Sequence, residues 1–422
     1  MSLRKVCVMA GKVIRPVQKR GNGWAVSKAW VLRSCWLGLL GSLFAFSKMT
    51  AATEAPELVI IDDDTPDATN LLFWSDAERR RAFPRIAETF PTRTILSGDK
   101  ASVLGRRDFD WSKFSYRYKK QNRSMQDYIE VMQAAGILVL QDNRILFENY
   151  AHGHSESLPW VSFSVSKSLV SMLYGLAIAD GYINSTEDLV TEYVPRLRGT
   201  AYGDVTIAQL LQMSSGIAWN EDYTDPEADV VLAPSGTLAL VDYMGQLPRT
   251  GEPGTQFTYN TGETNMAGMV LRAALGNNLS EYLSRRLWQP LGMEADANWM
   301  LDQAHGVEFG GCCISATLRD YARLGGFALN DGRLPDGRQW LPAEWMAQST
   351  AASPAFAGYG YYWWLMSPTV FAAQGIYGQT IWIDRANDLV IVLHSVWPVA
   401  WSDDHEAHMT AFLNAVSEHV SR

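Results

Sequence analysis

The chain has 422 residues, of which 47% are hydrophobic and 19% are charged, the composition of an ordinary globular protein with a large core. Its formal net charge of −9 is unevenly distributed, because residues 1–52 contain nine Lys and Arg and no Asp or Glu. The remaining 27 Lys and Arg therefore face all 45 acidic residues. Such an acidic body argues against nucleic acid as a partner.

The basic segment ends in a short apolar stretch, Trp36–Phe46, and small residues follow at Thr50–Ala52. This pattern is typical of a secretory signal, and the stretch is too short to span a bilayer comfortably, so we predict no integral membrane domain. We expect export to the periplasm or the medium. A cytoplasmic location is the alternative, because the long basic region before the apolar stretch is unusual. The predicted organisation is a leader over 1–52, a lead-in over 53–124 with a helix or two, and a catalytic domain over 125–422.

Apolar runs and turn residues predict two hairpins, a mainly helical region at about 180–300 and a final helix. The predicted segments are Ile137–Leu140 paired with Ile145–Phe147, Thr380–Asp384 paired with Leu389–Leu393, and a helix over His405–Val420. The Asp142-Asn143 pair in the first hairpin favours a tight turn. Strands at both ends of the chain with helices between them predict an α+β fold, an antiparallel sheet flanked by helices with an inserted mainly helical region.

The most informative helix opens with an S-x-x-K pattern at Ser164 and Lys167. Residues Ser168–Ala179 are apolar on nearly every face and Gly181 ends the run, so the helix is predicted to be buried all round. Ser164 would then lie at the helix start, where free N–H groups favour a developing alkoxide, with Lys167 on the same face. A lysine in a dry pocket loses proton affinity, so the pattern indicates a serine nucleophile with a basic partner.

The S-x-x-K pattern also occurs at Ser2 and Ser97, but neither is followed by an apolar helical run. For Ser164 itself the alternative interpretation is a helix-capping serine with a solvated lysine one turn later.

Four further blocks follow Ser164 in the chain. They are Leu210–Gly216, Pro253–Thr261, Gly310–Gly325 and Gly375–Thr380. In this order the blocks resemble those of the β-lactamase and penicillin-binding serine hydrolases, closest to class C enzymes and their esterase relatives. The stretches Tyr259–Asn265 and Leu287–Glu294 look most like the 6-aminohexanoate-dimer hydrolase type. The resemblance extends from about Ile137 to the C-terminus.

The resemblance implies a catalytic group of Ser164, Lys167 and Tyr259, and an oxyanion hole made by the backbone N–H groups of Ser164 and Gln379. A tyrosine near a lysine cation can lose its phenol proton, and could relay protons to the leaving group. The alternative for Tyr259 is a buried aromatic residue whose hydroxyl is satisfied.

The chain departs from the family at two motifs. Thr261 stands where class C enzymes usually have asparagine, which leaves substrate orientation open. Ile376, Tyr377 and Gly378 replace the family's Lys-Thr-Gly or His-Thr-Gly. By resemblance, Thr261 and Gly378 would contact substrate. The missing cation argues against penicillins and peptidoglycan stem peptides as principal substrates.

An acidic loop, Glu221–Asp229, contains Tyr223, which the resemblance implies would close over the site. The loop could attract an amine on the substrate, and a solvated surface loop is the alternative. An aromatic run, Tyr359–Trp364, favours a strand in the core over an acyl pocket.

We therefore expect a serine hydrolase that cleaves a small-molecule amide or ester through an acyl-enzyme. The alternatives are a β-lactamase or D-amino-acid peptidase, and a non-hydrolytic penicillin-binding sensor. No metal or organic cofactor is expected: His152 and His154 lack companion ligands and favour a surface turn. Cys312 and Cys313 are neighbours and cannot link distant segments. The oligomeric state is left open.

Overall fold

The computed structural model describes residues 68–421, so the predicted leader and the first part of the lead-in lie outside the described residues. The described residues belong to one compact unit. The strands are β1 (Thr92–Ile95), β2 (Gly105–Arg106), β3 (Tyr116–Tyr118), β4 (Gln121–Arg123), β5 (Ala134–Gln141), β6 (Arg144–Tyr150), β7 (Trp160–Val161), β8 (Ala297–Met300), β9 (Ile314–Ala316), β10 (Trp364–Leu365), β11 (Val370–Gly375), β12 (Gln379–Asp384) and β13 (Leu389–Ser395).

The α-helices are α1 (Asp76–Ala82), α2 (Ile86–Thr89), α3 (Met125–Val131), α4 (Val165–Ala179), α5 (Val190–Tyr193), α6 (Ile207–Leu211), α7 (Asp229–Leu232), α8 (Thr237–Gln246), α9 (Thr261–Leu275), α10 (Leu279–Leu283), α11 (Leu318–Leu329), α12 (Trp345–Ser349) and α13 (Asp403–Val420). Short 3₁₀ turns lie at Ala68–Phe73, Phe83–Arg85, Pro195–Leu197, Ile376–Gly378 and Arg385–Asn387, and a π-helical turn at Ser284–Trp288. Among the described residues, no helix combines the length and apolarity needed to cross a membrane.

The main sheet has seven strands in the order β10-β11-β12-β13-β5-β6-β2, and all neighbours are antiparallel except β2 and β6. Both predicted hairpins are confirmed, as β5–β6 and β12–β13. Asp142 and Asn143 both have positive φ, 50° and 57°, which is the backbone of a tight hairpin turn matched to the twist of its strands.

Alternate residues of the central strands enter two separate cores, because successive side chains of a strand point to opposite faces. Leu138 and Leu140 of β5 pack with α4 and α11. Ile137 and Val139 pack instead with α13. The predicted C-terminal helix thus covers one face of the sheet, and α4 lies on the other. The α+β prediction is confirmed.

Helix α4 is buried from Val165 to Ala177, as its apolar sequence predicts, and Gly181 follows it with a φ of 77°. It packs against the sheet at β11 and against α9 of the helical insertion. Helix α4 therefore lies at the boundary between the sheet and the helical insertion.

The lead-in contains more regular structure than the predicted helix or two. Strand β1 pairs with β8 in a second sheet of order β1-β8-β9-β7, and β2 adds to the main sheet. This second sheet matters for the site because β7 ends immediately before the turn that leads into α4. The prediction missed β1 because Thr92–Ile95 is short and only its last residue is buried.

The segment from His152 to His154 forms a turn, but His154 is not on the surface. Its Nε2 lies 3.0 Å from Nδ1 of His394, and both rings are buried under the sheet. Burial lowers the pKa of His154 to about 4 and lowers the pKa of His394 well below its usual value. Both imidazoles are therefore neutral at physiological pH, and the surface prediction was wrong for His154.

Candidate active site

Ser164 is the N-cap residue of α4, placed there by a sharp turn after β7. The preceding residue, Phe163, has a φ of 45°, an uncommon conformation for a residue with a side chain. The turn is fixed by Ser162, whose N–H donates to the Ile314 carbonyl and whose hydroxyl accepts from the Ile314 N–H. As an N-cap residue, Ser164 lies among backbone N–H groups that have no intrahelical acceptor.

Lys167 lies one turn along α4, and all three hydrogens of its ammonium group have acceptors. Its Nζ is 2.9 Å from Ser164 Oγ, 3.1 Å from Thr261 Oγ1 and 2.8 Å from the Gly311 carbonyl oxygen. Burial lowers the pKa of Lys167 to about 8, and the negative charge of Glu221 partly opposes that shift. A substantial fraction of the lysine is therefore neutral near pH 8, as a base for Ser164 requires.

Tyr259 lies just before α9, and its side chain lines the same cavity as Ser164. Its ring lies 5.2 Å from Lys167 Nζ and stacks on Trp364 with centroids 5.7 Å apart. Burial raises the pKa of the Tyr259 phenol, and Glu221 raises it further. Both effects favour a protonated phenol, whereas the predicted loss of this proton to the lysine cation stays a prediction.

Glu221 is the residue of this site that the sequence did not single out. It accepts hydrogen bonds from Thr261 N–H at 3.0 Å, from Thr261 Oγ1, from Tyr223 OH at 2.8 Å and from the Trp219 indole N–H. Thr261 thereby joins Lys167 to Glu221. The only sequence signal was the acidic loop, in which neighbours such as Asp222 are exposed and bond locally to Thr224.

Thr261 was predicted to contact substrate, and the structure shows its hydroxyl held between Lys167 and Glu221. Tyr223, the predicted closing residue, lies against the site with its hydroxyl on Glu221 and its ring packed on a cluster that includes Phe163 and Ile376. Of the aromatic run, Tyr359, Tyr362 and Trp363 are in the core, whereas Trp364 lines the site beside Tyr259.

The structure does not bring Gln379 or Gly378 to the site. The Gln379 side chain is buried, where it accepts from Trp160 Nε1 and the Ser395 N–H and donates to the Ser395 carbonyl. Gly378, with a φ of 86°, packs against Trp397. Neither lines a cavity that contains Ser164. The substrate-binding prediction for Gly378 and the oxyanion prediction for Gln379 were both wrong.

The strand beside the nucleophile instead ends at Gly375 and Ile376. A Cβ at position 375 would lie 3.0 Å from Ser164 N and 2.5 Å from the Ser162 carbonyl oxygen, so only glycine allows the strand to pass this close. Ile376 follows directly and lines both cavities with Ser164. Ile376, not Gln379, is therefore the residue near the end of this strand that lies beside Ser164.

Two cavities flank Ser164 and share it with Tyr223 and Ile376. The first, about 220 Å³, is lined also by Tyr259, Trp364, Gln374, Gly375 and Trp401. The second, about 190 Å³, is lined also by Leu71, Leu72, Phe163, Trp219, Val230, Ala233, Pro234, Leu240, Thr261, Gly262, Asn265, Met300, Phe309, Gly311 and Cys312. Neither lining contains a charged side chain, so groups bound near Ser164 on either side meet mainly apolar walls.

The family model for beta-lactamase matches residues 122–413. The chain belongs to the beta-lactamase family. A 6-aminohexanoate-dimer hydrolase of Paenarthrobacter ureafaciens is 29% identical over 381 residues, covering 83% of this chain and 92% of that protein.

Solved structures share the fold. A provisionally named 6-aminohexanoate-dimer hydrolase from Bacillus anthracis has a TM-score of 0.76 at 23% identity, covering 85% of this chain and 98% of that one. A class C beta lactamase from Rhodobacter sphaeroides has a TM-score of 0.51 at 16% identity, covering 69% and 97%. The predicted resemblance is confirmed, and the chain is a serine hydrolase that cleaves an amide or ester bond through an acyl-enzyme.

Proposed function

We propose that Ser164 is the nucleophile, Lys167 its base, and Tyr259 the proton donor to the leaving group. The observation that carries this assignment is the 2.9 Å contact between Ser164 Oγ and Lys167 Nζ, together with the Tyr259 ring, whose centroid lies 5.2 Å from the same Nζ. Ser164 lines both cavities, Tyr259 lines the first, and Lys167 contacts Ser164, so a substrate carbonyl that binds at Ser164 lies beside the whole group.

The proposed acylation step follows from these contacts. Neutral Lys167 takes the Ser164 proton while Oγ bonds to the carbonyl carbon, and the N–H groups of Ser164 and Ile376 stabilise the oxyanion. The bond to the leaving amine or alkoxide then breaks as Tyr259 donates its proton, and the lysine ammonium restores the phenol proton. Water hydrolyses the acyl-enzyme by the reverse transfers, which regenerates Ser164.

We infer that the substrate is a linear amide or ester with apolar chain on both sides of the scissile carbonyl. Support comes from the two uncharged cavities of similar size and from the 29% identical relative, which is named for hydrolysis of the 6-aminohexanoate dimer. Methylene chains gain free energy from such walls, whereas a carboxylate held close to the carbonyl would be desolvated without a cation.

The test is a side-by-side comparison of kcat/KM for nitrophenyl butyrate, linear 6-aminohexanoate dimer and nitrocefin on one preparation. We expect the ester or the dimer to exceed nitrocefin, because the β-lactam carries its carboxylate close to the reacting ring. Nitrocefin turnover equal to or above the others would assign the chain as a β-lactamase. A single stoichiometric burst without turnover on every substrate would assign it as a sensor.

A further inference from the structure

Two adjacent cysteines, Cys312 and Cys313, directly follow the carbonyl group that holds the catalytic lysine. Their sulfurs are joined as a disulfide. The Gly311 carbonyl oxygen accepts from Lys167 Nζ at 2.8 Å, and the Gly311 N–H donates to Asn265 Oδ1 at 2.9 Å. The cysteine pair is therefore one peptide bond away from a direct contact of the proposed base.

The same pair is connected on its other side to the turn that carries the nucleophile. Cys313 is followed by Ile314, whose N–H and carbonyl both bond to Ser162, two residues before Ser164. The Cys312–Cys313 segment thus lies between the two backbone attachments that place Lys167 and Ser164. A change in its conformation would reach both members of the proposed pair.

Hydrogen bonds and a close backbone contact also fix the position of the Cys312–Cys313 segment. The Cys313 carbonyl accepts from Met300 N–H at 3.0 Å, and the Cys312 carbonyl accepts from the Trp299 indole at 3.1 Å. A Cβ at Gly311 would lie 2.8 Å from Thr261 Cγ2, so the backbone already touches α9. Cys313 itself has a φ of 93°, a conformation unfavourable for a residue with a side chain.

Access to the two sulfurs differs. Cys313 is fully buried, whereas Cys312 is half-buried and lines the second cavity together with Ser164. A small molecule that enters the active-site cavity can therefore reach Cys312. A bond between neighbouring cysteines closes no long loop and so does not constrain the unfolded chain as a structural disulfide does. Accessible disulfides are typically the labile or regulatory ones, and Cys312 is accessible from the cavity.

We propose that Cys312 and Cys313 form a thiol–disulfide modification site in the active-site wall, which exchanges with small thiol and disulfide compounds and sets the activity of the proposed Ser164–Lys167 pair. The proposal rests on the function proposed above. In the oxidised form the ring that contains the 312–313 peptide holds Gly311 against Lys167, so this is the more active form.

The exchange is balanced with a small disulfide such as glutathione disulfide. The Cys312 thiolate attacks one sulfur of the disulfide, and the first glutathione leaves as a thiolate that takes up a proton. The Cys313 thiolate then attacks the Cys312 sulfur, which forms the protein disulfide and releases the second glutathione. Two electrons pass from the cysteine pair to the small disulfide, and a dithiol such as dithiothreitol reverses the sequence.

The experiment uses the full-length chain with Cys7→Ser and Cys35→Ser, so that Cys312 and Cys313 remain as its cysteines. Samples are equilibrated with dithiothreitol or glutathione disulfide, desalted, alkylated in part for intact-mass counting of thiols, and assayed on nitrophenyl butyrate from pH 6 to 10. We expect kcat/KM to fall by about fivefold on reduction, with a displaced Lys167 limb of the pH profile, and to recover on reoxidation. The matched variant that adds Cys312→Ser and Cys313→Ser should have the lower activity and no response to either reagent.

Thiol counts that do not change between the two reagents would overturn the proposal, and so would interconverting thiols with an unchanged kcat/KM and pH profile. A second measurement does not depend on turnover. Fluorophosphonate labelling at Ser164 should slow reduction by dithiothreitol, because the label occupies the cavity beside Cys312, and an equal rate would overturn the proposed route. If neither labelling nor hydrolysis occurs in either redox state, the proposed function fails, and the thiol counts still report separately on the cysteine pair.

Discussion

The proposed catalytic groups come from two regions of the molecule that are held in place by different forces. Ser164 and Lys167 share one helix, which is buried on every side between the sheet and the insertion. Tyr259, Glu221 and Tyr223 lie on loops of the insertion, where the Tyr223 hydroxyl donates to Glu221 and the Tyr259 ring stacks on Trp364. Packing therefore positions the proposed nucleophile and its base. Hydrogen bonds and ring contacts position the group that raises the pKa of the base and the proposed proton donor.

This difference predicts that substitutions on α4 will remove chemistry without loosening the site, while substitutions in the loop network will change pH dependence and substrate handling. The first change that tests it is Ser164→Ala. We expect complete loss of acylation with an unchanged melting temperature, because one hydroxyl at a helix start contributes little to a buried helix. Intact-mass measurement with a fluorophosphonate probe checks the first part, and Ser97→Ala is the control that should still label.

Lys167→Ala and Tyr259→Phe should each lower turnover by at least about a hundredfold, the usual scale for loss of an acid or base. Because both act on the Ser164 proton and the leaving group in one relay, the double variant should be little worse than either single variant. Steady-state kinetics on nitrophenyl butyrate measures all three. If the loss of turnover in the double variant equals the product of the two single losses, Lys167 and Tyr259 act independently and the relay is contradicted.

Glu221→Gln should lower kcat/KM by about tenfold, the scale of one charge-assisted hydrogen bond. Activity rises with pH as Lys167, with its pKa of about 8, becomes neutral. Since Glu221 raises the pKa of Lys167, its removal should move this rise to lower pH. Asp222→Asn, an exposed neighbour in the same loop, is the matched control and should leave the pH profile unchanged. If activity rises at the same pH in Glu221→Gln as in the unchanged protein, the Glu221 carboxylate does not influence the pKa of Lys167.

The smallest expected effect lies outside the site, at the buried imidazole pair of His154 and His394. The pKa of His154 falls from 6.5 in the unfolded chain to about 4 in the fold, so the unfolded state binds the proton first as pH falls. The contribution of neutral His154 to the free energy of unfolding is therefore complete above about pH 6.5. It is lost progressively as the pH falls towards 4, which lowers the melting temperature by on the order of 5 °C. His154→Asn should flatten this dependence, whereas the exposed His305→Asn should not. If the melting temperature falls with pH equally steeply in both variants, groups other than His154 cause the loss of stability in acid.

The α4 region was predictable from sequence because its determinants are local. An apolar run at every helical position, a nucleophile and a lysine three residues apart, and a terminal glycine together specify a buried helix with both groups at one end. The two hairpins were equally local, since alternation and turn residues specify them. The final helix was predicted from His405, two residues late, although its N-cap Ser402, whose side chain accepts from the His405 N–H, is a capping residue visible in the sequence.

The end of β11 was not predictable in the same way. Matching Ile376-Tyr377-Gly378 to the family motif put the oxyanion donor at Gln379, three residues late. What decides the position is a close approach between Gly375 and the Ser162–Ser164 turn, which are distant in sequence. Glu221 was missed for a related reason: nothing local distinguishes it from the other acids of its loop, and only the positions of Trp219, Tyr223 and Thr261 around it mark it out.

Tyr223 forms a wall of both cavities, with consequences for how new specificities could evolve. A substitution there would alter the space for the acyl group and for the leaving group at once, so selection for one property would carry along a change in the other. Trp364 and Trp401 border only the first cavity, while Val230 and Leu240 border only the second. Adaptation to a new leaving group without a new acyl preference would therefore proceed at these outer positions, and Tyr223 would change only when both halves of the substrate change together.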